Sequence, residues 1–171
     1  MSDEPLLTVD ALREAFTALD RRLRRLHLTA DIFVFGGAAM VLGFDARPAT
    51  RDVDAVWHPH TAVLQEAWAV ADDLGLPRSW LNDQASAYLP SGPRSGDAVA
   101  FGGSALRITL ASAELLLAMK ARASRRGDLT DIRLLSAHLG LDTAAAVIAH
   151  AESIFDEPLG DRQRMAIEDL F

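Results

Sequence analysis

Cysteine is absent from the 171-residue sequence. Its absence excludes disulfide bonds, thiolate catalysis and any zinc site built on cysteine. The chain also lacks an apolar run near the roughly 18 residues that a membrane helix requires. Its acidic start, MSDEPLLTVD, has no apolar stretch typical of a secretory signal. We therefore expect a cytoplasmic protein with no membrane partner.

Positive charge is also scarce. Seventeen basic residues stand against 24 acidic ones, which gives a net charge of -7. A chain of this charge repels nucleic acid unless a metal ion or a local basic patch intervenes. Basic side chains cluster at residues 21–25 and 120–126. The first cluster is more commonly explained as the polar side of an amphipathic helix than as a surface for nucleic acid.

Hydrophobic periodicity divides the chain into two parts. The predicted helices span residues 9–26, 38–42 (ended by Gly43), 62–74, 113–123, 129–139, 142–155 and 161–171. The predicted strands span residues 31–35, 52–57, 87–90, 97–101 and 105–110. This order predicts a single domain of the α/β (α+β) class, with a mixed β-sheet core at residues 28–111 and a helical C-terminal region at residues 112–171.

Two aspartates, Asp52 and Asp54, lie two positions apart on a predicted strand. Strand alternation directs both side chains to one face, with their Cβ atoms about 6–7 Å apart. Carboxylates this close repel each other unless a cation neutralises them. Magnesium prefers oxygen ligands and keeps coordination positions open for phosphate. The pair is therefore a candidate magnesium site, although two aspartates on a strand are more often a solvated face.

Gly36 and Gly37 follow the preceding strand and open a short helix. Glycines at such a turn let backbone N–H groups approach a phosphate, and the helix dipole adds attraction. If the two strands are neighbours, the turn and the carboxylates lie side by side. That combination suits in-line phosphoryl or nucleotidyl transfer, whereas a glycine pair by itself is usually only a turn.

Gly36-Gly37, followed by the segment Asp52-x-Asp54, resembles the hallmark of the nucleotidyltransferase superfamily. The run LRITLASAELLLAMKARASRRGDLTDIRLLSAHLGL is similar to AbiEii-type and related stand-alone nucleotidyltransferase-like proteins of bacterial toxin–antitoxin and phage-defence systems. In those proteins a strand leads to a helix with a lysine and then to an acidic segment. Within that group the chain most resembles the small, single-domain members of unknown function. The resemblance covers roughly residues 30–140.

This resemblance implies a magnesium-dependent enzyme that transfers NMP from an NTP to an RNA (such as tRNA) or to a protein acceptor. It implies that Gly36 and Gly37 bind the triphosphate and that Asp52 and Asp54 are catalytic and bind the magnesium ions. It also suggests the toxin of a toxin–antitoxin pair, with a cognate antitoxin as partner.

Three further residues receive roles from the resemblance. It implies that Arg51 touches phosphate, that Lys120 contacts phosphate or supports the nucleophile, and that Asp131 is the acidic partner of Lys120. Lys120 is the only lysine, against sixteen arginines, which favours a specific role; a solvated helix edge is the simpler explanation. Asp128 is expected to cap the following helix, and Asp131 is also explained as an acidic residue of its first turn.

Two features depart from the family pattern. The family turn is often Gly-Ser, whereas here Ala38 follows Gly37 and no hydroxyl is present. Many active members also carry a third carboxylate on a later strand, where this chain has Arg107 and Thr109; Asp97 would replace it only by beginning a neighbouring strand. These departures favour an alternative, a catalytically degenerate binding module or regulator. A phosphotransferase of the antibiotic-modifying type is a third hypothesis.

Overall fold

A computed structural model describes residues 5–92, 96 and 98–171. The chain divides into two compact units. The first comprises Met1–Ala87 and Gly96–Leu110, and the second comprises Tyr88–Ser95 and Ala111–Phe171. The single-domain organisation stays a prediction.

The first unit contains a five-stranded mixed sheet with helices, which confirms the predicted α/β class. Its elements in chain order are β1 (Leu7–Thr8), α1 (Val9–Arg25), β2 (Ala30–Phe35), α2 (Gly36–Phe44), β3 (Ala49–Thr50), β4 (Val53–His58), α3 (His60–Leu74), β5 (Leu81–Asn82), β6 (Ala98–Gly102) and β7 (Leu106–Leu110). The sheet order is β5-β4-β2-β7-β6, and β1 and β3 form a separate antiparallel pair.

Strand β2 lies at the centre of the sheet. It pairs antiparallel with β4 and parallel with β7, while β5 adds parallel to β4 and β6 adds antiparallel to β7. Five of its six residues are buried, in agreement with an apolar core strand. The neighbouring position of β2 and β4 is the arrangement that the proposed glycine–aspartate site requires.

Helix α1 buries Leu12, Phe16, Leu19 and Leu23, which recur at spacings of three and four. Thr8 caps its start by accepting a hydrogen bond from the N–H of Ala11 at 3.2 Å. On its polar side, Arg22 pairs with Asp73 at 2.8 Å and with Glu66 at 3.3 Å, both on α3. The hydrogen bond to Asp73, followed by that to Glu66, raises the pKa of Arg22. One member of the 21–25 basic cluster is thus engaged in joining two helices.

Two local predictions were wrong. Helix α2 continues through Gly43 and ends at Phe44, followed by Asp45 in the left-handed conformation at φ +50°. A Cβ at Gly43 would lie 3.0 Å from a methyl carbon of Leu110, so the small residue permits close packing rather than ending the helix. Residues 87–90 do not form a strand, because the chain makes a 3₁₀ turn over Gln84–Tyr88 instead.

The second unit is helical in its described part. Its helices are α4 (Ala113–Ala123), α5 (Leu129–Leu139), α6 (Ala144–Phe155) and α7 (Asp161–Glu168). Ser112 and Thr143 cap α4 and α6 as side-chain acceptors. Across the described residues no single helix is long and apolar enough to cross a membrane; one pair bent by 92°, Arg126–Leu139 with Ala144–Phe155, reaches that length and composition only in combination.

Candidate active site

Asp54 lies against the glycine turn. In the β2–β4 pairing it is the partner of Phe35, the last residue before Gly36. A Cβ added to Gly36 would lie only 2.8 Å from the Oδ2 atom of Asp54, and Gly36 has φ +64°. Both the space and the backbone conformation therefore require glycine at this position. The turn and the carboxylate form one packed feature.

Asp52 immediately precedes β4, which begins one residue later than predicted. Within β4, Val53 and Ala55 are buried and Asp54 is half-buried, so the predicted alternation is confirmed. The side-chain amide of Asn82 donates a hydrogen bond to Oδ2 of Asp52 at 3.1 Å. Asn82 is also the strand partner of Asp54 across the β4–β5 pair. The acidic pair thus lies beside a neutral polar residue from the edge strand.

Thr50 occupies the space beside the second glycine. Its Oγ1 atom lies 2.8 Å from the position of a Cβ on Gly37, and a guanidinium nitrogen of Arg47 lies 3.9 Å from that position. The Thr50 hydroxyl donates to the backbone carbonyl of Asp52 at 3.1 Å. The turn itself has no hydroxyl, but Thr50 places one next to it from β3. Arg51, in the bend after Thr50, is exposed.

Lys120, Asp128 and Asp131 form a cluster within the second unit. The Nζ atom of Lys120 lies 2.7 Å from Oδ1 of Asp128 and 3.0 Å from Oδ2 of Asp131. The three side chains are 13%, 11% and 3% exposed respectively, so the cluster is buried. The pairing of Lys120 with Asp131 that the resemblance implied is present as a contact, while its part in any reaction stays a prediction.

The helix between Lys120 and Asp131 is not continuous. Helix α4 ends at Ala123, Ser124 follows it with φ +41°, and a 3₁₀ turn over Arg126–Asp128 precedes α5. Asp128 was expected to cap α5, and this is wrong: its side chain makes no capping bond to that helix. It accepts instead from Lys120 and, at 3.1 Å, from the backbone N–H of Arg125. The reversal of the chain, rather than helical spacing, brings lysine and aspartates together.

Sequence reasoning missed Asn82 and Thr50. Asn82 lies in a stretch without clear periodicity, and its role depends on the pairing of a two-residue strand. Thr50 precedes Asp52 by two positions and offered no separate signal. Asp97, named as a possible third carboxylate, lies outside the described residues. The roles of the predicted site residues in substrate binding and catalysis stay predictions.

The donors at the acidic pair fit a hard divalent cation. Asp52 and Asp54 supply carboxylate oxygens, and Gly36 keeps side-chain atoms away from Oδ2 of Asp54. Within the described ranges, no group of three or more His, Asp or Glu side chains is arranged to hold a metal ion. Two carboxylates are nevertheless compatible with magnesium, because this ion usually takes one or two protein carboxylates and completes its shell with phosphate oxygens and water.

The fold is a mixed sheet in which a strand leads through a glycine turn into a helix, and two aspartates lie at the start of the adjacent strand. These features define a nucleotidyltransferase-like protein. The chain belongs to the family described as nucleotidyltransferase of unknown function (DUF6036), whose model matches residues 11–167. The match confirms the predicted superfamily. No curated protein and no solved structure matches the chain. The more specific relationship to AbiEii-type and toxin–antitoxin proteins stays a prediction.

The contact of Gly36 with Asp54 is testable by substitution. Gly36→Ala is expected to lower the free energy of unfolding by about 1–2 kcal/mol through its left-handed backbone and by about 1–3 kcal/mol more through overpacking against Asp54. Gly75→Ala is the matched control in the same unit, because Gly75 has φ +67° and nothing within 4 Å of its Cβ position. Urea denaturation followed by circular dichroism measures both. Equal losses in the two variants would show that the contact with Asp54 carries no cost.

The Lys120 cluster is expected to stabilise the helical unit strongly. Lys120→Met leaves two buried carboxylates without their cation, so we expect a loss of about 3–5 kcal/mol. Arg122→Met is the control on the same helix, since Arg122 pairs with the exposed Glu157 and stacks on Phe155; its loss should be about 1 kcal/mol. Chemical denaturation of the full chain compares them. A loss below that of the control would contradict a structural role for the cluster.

Proposed function

We propose that this protein transfers NMP from an NTP, with magnesium, to a hydroxyl group of an RNA or a protein. The observation that carries the proposal is the packing of Asp54 against Gly36, at the first residue of α2, with Asp52 two positions away. This arrangement joins a carboxylate pair to a helix start that attracts phosphate. Membership of a nucleotidyltransferase family supports it independently.

The proposed reaction forms one bond and breaks one. The acceptor oxygen bonds to the α-phosphorus of the NTP, the bond to the bridging oxygen breaks, and pyrophosphate leaves; the acceptor hydroxyl gives its proton to solvent. Magnesium held by Asp52 and Asp54 would neutralise the phosphate charge that develops. The backbone N–H groups at Gly36 and Gly37 would position the triphosphate, and the exposed Arg51 would add positive charge beside it.

The resemblance implies that Lys120 contacts phosphate or supports the nucleophile with Asp131 as its acidic partner, but the surroundings of the two residues favour a structural role. One lysine shared by two aspartates gives the cluster a formal charge of -1. A cluster with net negative charge repels phosphate. The geometry therefore favours support of the helical unit, as tested by Lys120→Met, over direct contact with the nucleotide.

The transfer is tested by incubating the purified protein with cell extract and α-labelled NTPs. We expect label to enter RNA or protein, to require magnesium, and to fall by at least about 100-fold in Asp54→Asn, since loss of such electrostatic stabilisation typically costs 10²–10³-fold. Asp31→Asn is the control, because Asp31 is exposed and lies at the end of β2 far from Gly36, where its partner in the β2–β4 register is His58. Nuclease and protease treatment identify the acceptor. Equal labelling by wild type and Asp54→Asn would refute the site.

A second candidate function is a binding module or regulator that lacks turnover. It is favoured by the number of carboxylates, because in the described part of the chain no third one joins Asp52 and Asp54. The two functions differ in nucleotide binding. A rise in melting temperature with NTP and magnesium that EDTA abolishes would support the enzyme, whereas the absence of any shift together with no labelling would support the module.

We also propose that the transfer reaction is toxic to the cell that produces this protein. A cognate antitoxin would then inhibit the protein. The similarity of the segment around Lys120 to toxin-type proteins supports this proposal. Expression of the wild type from an inducible promoter is expected to arrest growth, while Asp54→Asn at equal protein level is expected to leave growth unchanged. Equal growth of cells expressing either form would contradict the toxin role. The labelling experiment would still test the transfer reaction separately.

A further inference from the structure

Asn82, which belongs to the edge strand β5, lies beside Asp52. We propose that Asn82 is a positioning residue, which fixes the carboxylate of Asp52 so that one oxygen is directed to the metal ion. The inference rests on the proposed function, because it concerns the metal in that same site. The direct observation is the 3.1 Å hydrogen bond from Nδ2 of Asn82 to Oδ2 of Asp52.

The amide of Asn82 has one preferred orientation. Its Oδ1 atom accepts from the backbone N–H of Gln84 at 3.2 Å, and its Nδ2 atom also donates to the carbonyl of Ser79 at 3.3 Å. A flipped amide would place its oxygen against the Asp52 carboxylate and its N–H groups against the N–H of Gln84. Both contacts would be repulsive, so the donor is held towards Asp52.

The strand that carries Asn82 is anchored in the core. Leu81 is buried, and the preceding Trp80 is fully buried with its indole N–H donating to the carbonyl of Ala67 at 2.9 Å. Asn82 itself is the strand partner of Asp54. A two-residue edge strand held in this way provides a rigid position for a polar group, as a well-ordered binding site requires.

The chemistry of an amide suits this position. A hydrogen bond to an ionised carboxylate is strong and directional, and it occupies Oδ2 of Asp52 while Oδ1 remains for a cation. Because the amide is neutral, it orients the carboxylate without cancelling the negative charge that attracts the metal. Residues that orient metal ligands in this way typically change metal affinity by 10–100-fold when they are replaced.

The test is titration of the full chain with Mn²⁺, used as the probe for the magnesium site and followed by electron paramagnetic resonance. Asn82→Leu removes the donor at similar size and is expected to weaken Mn²⁺ binding at least about 10-fold. Asp83→Asn is the matched control on the neighbouring residue, whose carboxylate contacts His60 at 2.9 Å; it should bind Mn²⁺ like the wild type. Asn82→Ala provides a second variant without the donor.

Melting temperatures in EDTA separate positioning from folding. The proposal requires weaker Mn²⁺ binding in both Asn82 variants while they remain folded at the titration temperature. Unchanged Mn²⁺ affinity in either folded Asn82 variant would overturn the role of Asn82 but not the proposed function. An equal loss of affinity in Asp83→Asn would also overturn that role, because it would show a general disturbance of the edge strand. If the wild type binds no Mn²⁺, the metal site of the proposed function fails, and this inference fails with it.

Discussion

The antiparallel pairing of β2 with β4 is the constraint on which the candidate site depends. It places Asp54 opposite Phe35 and so sets Oδ2 of the carboxylate 2.8 Å from the position that a Cβ on residue 36 would occupy. A side chain at residue 36 is disfavoured twice, by φ +64° and by the 2.8 Å approach of Oδ2. The glycine that opens α2 is therefore explained by a contact inside the protein, independently of any role in binding phosphate.

Asp52 is fixed although it lies just outside β4. Thr50 donates to its backbone carbonyl, and Asn82 donates to its carboxylate. Both donors are neutral, so they hold the residue in place and leave its negative charge intact. Neutral hydrogen-bond donors commonly orient a carboxylate in this way. The site consequently consists of two aspartates, two glycines and two neutral donors contributed by different strands.

The second acidic pair is arranged differently. Asp128 and Asp131 share Lys120 in a buried cluster, where the lysine offsets part of the cost of removing two carboxylates from water. Asp52 is half-buried and receives an amide rather than an ammonium group. The cluster of Lys120, Asp128 and Asp131 thus contains its own cation, which fits a structural role in the helical unit.

From the sequence alone one could predict the fold class, the helices with clear periodicity and caps, and the two separate motifs Gly36-Gly37 and Asp52-x-Asp54, because these depend on local spacing and backbone preference. That the two motifs lie side by side depends on the pairing of β2 with β4. The sequence could not determine that α2 continues through Gly43, since packing against Leu110 permits this. The pairing of β5 with β4 brings Asn82 from a distant segment to Asp52, and the tertiary fold sets the Thr50 hydroxyl beside Gly37, so neither contact follows from local sequence. The tertiary structure likewise decided that Asp128 pairs with Lys120, since a chain reversal, not helical spacing, sets that contact.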